Sequence, residues 1–248
     1  MGNYRRLPLD GLANARELGG FPCAEGSTAF GKYLRSEIPA RLSEGDFAFL
    51  KEYGLKTVID FRGGEEITRT ADVLAACDWI TYIHLPVFDE DVVRGSAQDM
   101  LKGMAADFSW GKHYIQMAES KKDWVKAVLD TIAGSEGVVL FHCTTGKDRT
   151  GIITAVLLGL CGVSEDDIAA DYCVSEIYLR EMYKSMSKYV PVDMEMDGPN
   201  PFLSTAWENM VTLLEYVYKT YGDMAGYVRD CGITQETVDA IRGKLIEG

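Results

Sequence analysis

Cys143 and, six positions later, Arg149 are the residues of this sequence best suited by type and spacing to chemistry. They lie in Val138-Val139-Leu140-Phe141-His142-Cys143-Thr144-Thr145-Gly146-Lys147-Asp148-Arg149-Thr150-Gly151, where an apolar strand runs into a short polar loop and then into an apolar helix. In that order the loop amides and the first turn of the helix lack intrahelical partners and converge on one point, a nest for an anion such as a phosphate dianion. Thr144, Thr145, Gly146, Lys147, Asp148 and Arg149 would line it. The same field favours the ionised, nucleophilic sulfur of Cys143. The planar fork of Arg149 suits two equatorial phosphoryl oxygens, a geometry that lysine lacks. Thr150 is placed to donate to the thiolate and ease its departure, and His142 to fix the loop by hydrogen bonds to backbone rather than to act as a base. Together they imply displacement on phosphorus through a covalent cysteinyl intermediate, with no metal and no other cofactor. A chance Cys-to-Arg spacing is the competing explanation. The strand before the loop, the helix after it and the glycine within it argue against chance.

The elements that must position this loop are legible as alternating strand and helix patterns. Branched or aromatic runs at 31–34, 56–61, 79–87 and 137–142 read as core strands. Ser43 as N-cap, Asp46 three residues on, Phe47 and Leu50 on one face and Gly54 as stop predict a first helix. Residues 112–133 read as one longer helical region. This alternation, kept up through residue 163, predicts an α/β fold with a central, mostly parallel sheet flanked by helices. A helical C-terminal region follows, a buttress that reaches function only through residues facing the site. Ser164 caps an acidic turn and opens a helix towards Lys184. The stretch 189–201, with three prolines, reads as a connection or flap. Met210, Leu213, Leu214, Val217 and Tyr221 recur at helical spacing, and Thr234 caps a last helix. With no linker-like stretch, residues 1–248 read as a single domain.

Composition limits the partners. A net charge of −13 repels nucleic acid and anionic lipid on average, so a phosphorylated ligand must be held by a local positive site. The six cysteines, among them no CxxC pair, and the three histidines have no metal-ligand spacing, which fits free thiols in a reducing cytoplasm. The longest apolar run, 152–163, is shorter than the roughly 20 residues of a membrane span, so no stable membrane insertion is expected. No export signal is visible at the N-terminus, which predicts a cytoplasmic protein; secretion stays open for a form whose leader has been removed.

HCTTGKDRTG resembles the HCxxGxxRxG loop of the cysteine-based protein tyrosine phosphatases. Its Gly-Lys-Asp-Arg-Thr version is similar to bacterial tyrosine and dual-specificity phosphatases related to secreted phosphatases of pathogens, some of which act on phosphoinositides. Asn14-Ala15-Arg16-Glu17-Leu18-Gly19-Gly20, Leu34-Arg35-Ser36, Val58-Ile59-Asp60-Phe61-Arg62 with Glu65, and the end from Tyr221 to Leu245 extend the likeness over nearly the whole chain. Glu17 stands where the family usually has aspartate. The resemblance implies the cysteine-phosphatase fold and a phosphorylated protein or phosphoinositide as partner, with phosphotyrosine, phosphoserine/threonine or phosphoinositide as substrate. It leaves two sources for the leaving group's proton. One is Asp148, which relatives with Lys-Asp before the arginine use and which is preferred here; the other is Asp89, or its neighbour Asp91, on a loop where dual-specificity relatives carry their acid. The bland readings are a helix-terminal carboxylate for Asp148 and a solvated acidic turn for Asp89 and Asp91. Lys147 reads as an extra cation for a multiply phosphorylated or lipid headgroup, against a solvated loop lysine. Arg16, Arg35 and Arg62 read as salt-bridge partners of Glu17, Asp60 or Glu65. Two alternatives compete for the whole: an inactive module that binds phosphorylated partners, and a sulfur-transfer enzyme of rhodanese type, which would have no need of Arg149.

Overall fold

The computed structural model describes residues 5–87, 109–186 and 204–246. Its central sheet has the order β1 (Arg16–Glu17), β4 (Tyr33–Ser36), β7 (Val138–His142), β5 (Leu55–Asp60), β6 (Thr81–His84). All neighbours are parallel except β1, which closes one edge antiparallel to β4. β2 (Pro22–Cys23) and β3 (Gly26–Ser27) form a separate hairpin. The expected α/β architecture with a mostly parallel sheet is therefore the one observed.

Parallel strands are covered on both faces, so they read as continuous apolar runs. β7 is buried at every residue: Val139 and Phe141 face the larger core cluster, Val138 and Leu140 the smaller. The smaller cluster lies under α1 (Glu44–Tyr53), whose Ser43 cap, Asp46 capping partner and left-handed Gly54 stop are those the sequence predicts. The larger cluster is filled by α5 (Asp148–Leu160), a helix apolar nearly all round and buried accordingly. Because β7 runs between β4 and β5, its C-terminal end opens in the crevice where such sheets hold their ligands.

Two predicted elements differ. The stretch 112–133 is two helices, α3 (Trp110–Ser120) and α4 (Lys122–Gly134), broken at Lys121. The buried stripe runs 114, 117, 118 and then resumes at 124, 125, 128, with charged residues where it would have continued. The strand expected over 79–87 pairs only at Thr81–His84. The short helix α2 (Gly64–Arg69), the two-residue strands β1, β2 and β3, and α8 (Met224–Asp230) went unpredicted, and α6 (Glu165–Met186), α7 (Trp207–Tyr221) and α9 (Gln235–Leu245) complete the described fold. The predicted flap over 189–201 lies outside the described residues.

Candidate active site

The loop from Cys143 to Lys147 leaves the end of β7 and enters α5 at Asp148. Its carbonyls are tied outward: Thr144 O accepts from Ile38 N (3.2 Å), Thr145 O from Asn14 Nδ2 (3.0 Å) and Gly146 O from Arg35 Nη2 (2.6 Å). In a trans peptide the following N–H points the other way, so these bonds turn the loop amides towards the concave side. Gly146 is left-handed (φ 68°), and a Cβ there would stand 2.2 Å from Ser36 O, so only glycine fits this turn.

Arg35 and Arg16 hold this frame from behind. They face each other across β1 and β4, so their side chains share one face and both reach Asp171 on α6, Arg16 Nε at 2.8 Å and Arg35 Nη1 at 2.7 Å. Burial pushes the Asp171 carboxyl up, but the charges of the two arginines outweigh it and hold it below the usual range. Arg35 is drawn down to about 10 by burial and by the charge of Arg16, against the pull of Asp171.

Cys143 forms the floor, only 2% exposed. Arg149 enters from the first turn of α5 and is gripped end-on by Glu66 of α2, Nη1 to Oε2 at 2.7 Å and Nη2 to Oε1 at 2.8 Å. Thr144 Oγ1 donates to the same Glu66 oxygen, and the Gly63 N–H bonds Oε2 at 3.0 Å. Burial raises the Glu66 carboxyl, yet the Arg149 hydrogen bonds and charge, with Thr144 and Gly63, pull it down to about 2. Burial lowers the Arg149 guanidinium, but Glu66 and the nearby Cys143 sulfur outweigh it and raise it. Below the loop, His142 Nδ1 lies 3.1 Å from Cys143 O and Nε2 lies 2.9 Å from Asp72 Oδ2. Asp60, Asp72 and His142 are grouped closely enough to hold a cation, but both Asp60 oxygens already accept from Arg62, and one from Tyr82 as well. Thr150 is fully buried, its hydroxyl meeting no hydrogen-bond partner among the described residues.

A family model described as the tyrosine phosphatase family matches residues 7–247. The chain belongs to this family. A tyrosine-protein phosphatase of Nostoc commune is 30% identical over 224 residues, 86% of this chain and 74% of that protein. The triple specificity protein phosphatase PtpB of Mycobacterium tuberculosis is 26% identical, covering 98% of this chain and 99% of its own. Among solved structures, P. aeruginosa TpbA is similar with a TM-score of 0.40 and 16% identity, over 81% of this chain and 86% of its own.

In this member of the family Cys143 and the six residues after it run from the end of β7 into the first turn of α5, while Asp89 and Asp91 lie outside the described residues. Asp148 is 22% exposed in its side chain and is held through Oδ1 by the Tyr114 hydroxyl, with Lys147 Nζ 3.4 Å away. Lys147 is not a solvated lysine: it is 2% exposed, its ammonium 4.4 Å from the centre of the Trp110 ring. The arginine partners need correction. Arg62 does pair with Asp60 (2.6 Å), but Arg16 and Arg35 pair with Asp171, not Glu17, because side chains alternate along β1 and Glu17 turns to the opposite face, where Tyr53 Oη donates to it at 2.5 Å. Glu65 pairs with the exposed Arg69 (3.4 Å) rather than with any of the three. The sequence reading missed Glu66, Tyr114, Asp171 and Tyr172. Glu66 carries a weak signal, as an acidic residue three positions after the Gly63 helix start.

Proposed function

We propose that this protein hydrolyses phosphomonoesters by two in-line displacements at Cys143. The amide cradle and Arg149 hold the phosphoryl oxygens as the Cys143 thiolate attacks phosphorus, forming the S–P bond while the P–O bond to the leaving group breaks. Asp148 gives its proton to the departing oxygen. Water then attacks phosphorus, Asp148 takes a proton from it, and the S–P bond breaks to release inorganic phosphate and the thiolate; the donation from Thr150 expected from the sequence is not made in this structure. Asp148 is preferred to Asp89 because its carboxyl belongs to the loop itself and has one oxygen held. Phosphotyrosine is the expected substrate. Phosphoserine and phosphoinositides come next; a relative covering 98% of this chain is named a triple specificity protein phosphatase, which supports a range wider than one substrate class.

The observation that carries this reading is the loop itself: a cysteine at the base of outward-tied carbonyls, with an arginine fixed beside it by a carboxylate. The test assays wild type and Cys143→Ser on phosphotyrosine, phosphoserine and phosphoinositide. Wild type is expected to act fastest on phosphotyrosine, and the serine variant to lose hydrolysis of all three while still binding phosphate. Turnover by the serine variant near the wild-type rate contradicts the nucleophile assignment.

A further inference from the structure

We propose that Tyr114, backed by Tyr172, is a positioning residue that clamps one oxygen of Asp148 and so dedicates the other to proton transfer. This rests on the reading of Asp148 as the acid. The Tyr114 hydroxyl on α3 donates to Asp148 Oδ1 and stands 2.7 Å from the Tyr172 hydroxyl on α6. Each phenol has one proton. Tyr114 gives its own to the carboxylate, so Tyr172 must donate to the Tyr114 oxygen. Its other acceptor, Ser204 O, is farther, at 3.4 Å. Two helices, α3 and α6, thus bring one directional chain, Tyr172 to Tyr114, onto Asp148.

The chain stays a chain of donors. Burial, and then the charge of Asp148, push the Tyr114 phenol well above its usual value, and burial raises Tyr172 in the same direction. With Oδ1 engaged by Tyr114 and neighboured by Lys147, and no described residue bonded to Oδ2, the transferable proton sits on Oδ2. Such a device fixes the carboxyl plane before substrate arrives, which is how orientation lowers a barrier. The placement is built into the packing. Tyr114 packs edge-on against Tyr172 (ring centres 5.9 Å apart), and α3 approaches α7 so closely at Gly111 that a Cβ there would stand 2.6 Å from Thr212 Cβ.

The experiment compares Tyr114→Phe, Tyr172→Phe, Asp148→Asn and the Tyr114→Phe/Asp148→Asn double variant on p-nitrophenyl phosphate and on phenyl phosphate, a poorer leaving group. Loss of one hydrogen bond to a charged group corresponds to about tenfold to a hundredfold in rate. Tyr114→Phe is expected to lose that much kcat on phenyl phosphate, little on p-nitrophenyl phosphate, with KM unchanged. Tyr172→Phe should show the same split at smaller size, which covers the case of a Tyr114 variant that folds poorly. In the Asp148→Asn background, Tyr114→Phe should cost nothing further. Equal losses on both substrates, a raised KM, or losses that multiply in the double variant would overturn the clamp while leaving Asp148 as acid. If Asp148→Asn itself shows no leaving-group dependence, the acid assignment fails and the clamp's catalytic role with it.

Discussion

At the scale of single residues, the pair on which the proposed phosphate binding turns is Arg149 and Glu66. The carboxylate satisfies both terminal nitrogens of the guanidinium and, through Thr144, the loop beside it, so it fixes the fork without neutral side chains having to do so. Removing one charge of this pair costs about 1.5–3 kcal/mol of orientation. Glu66→Gln is therefore expected to lower kcat/KM by about tenfold to a hundredfold on an aryl phosphate. The same pair sets an acid limit. A carboxyl held at about 2 in the folded protein, against its ordinary 4.5, contributes stability that is complete above 4.5 and disappears as pH falls towards 2. The stability advantage of wild type over Glu66→Gln, followed by denaturant titration, should shrink across that window and be flat above it; an advantage unchanged down to pH 2 contradicts the pairing. Cys143, Arg149 and their loop were legible in the sequence because the motif is contiguous and its neighbours announce a strand and a buried helix. Glu66 was not, because it meets Arg149 from 83 positions away, and no local signal ties the two.

At the scale of elements, the loop is shaped by what β1, β4 and α6 do behind it. Asp171 is the carboxylate that both Arg16 and Arg35 reach, all three nearly inaccessible, and Arg35 in turn caps Gly146 O. A buried pair broken on one side leaves an unpaired charge, which costs about 3–5 kcal/mol. Asp171→Asn is expected to lose stability on that scale and to raise KM for phosphomonoesters as Gly146 loses its anchor. A loss below about 1 kcal/mol, the size of an exposed pair, would contradict the network. The four strands β4 to β7 and the first helix were readable because capping and apolar runs are local signals, whereas the two-residue strands β1, β2 and β3 are too short to show one. The network was not, since the facing of Arg16 and Arg35 appears only once their strands pair, and Asp171 reads in the sequence as one more acid on an amphipathic helix. The break at Lys121 likewise depends on α3 and α4 finding different partners, α7 for the first and α9 for the second.

At the scale of the molecule, a chain with net charge −13 is proposed to bind dianions through the loop amides and the Arg149 guanidinium. Its average field repels the substrate, so screening should not harm association. Over rising sodium chloride, kcat/KM for a phosphomonoester is expected to hold or increase; a steep fall would mean long-range attraction by a basic surface. Among the described residues no helix is long and apolar enough to cross a membrane, and all six cysteines are free. Burial pushes the Cys161 and Cys231 thiols up to about 12 and about 11, which makes them poor nucleophiles at neutral pH. The central claim is a bond from phosphorus to Cys143 during turnover. Rapid acid quench of the enzyme with an aryl phosphate, followed by intact mass and peptide mapping, should find one added phosphoryl group on the peptide carrying Cys143, absent from Cys143→Ser. An active enzyme quenched in mid-turnover with no phosphoryl group on that peptide, or with the group elsewhere, would contradict the account.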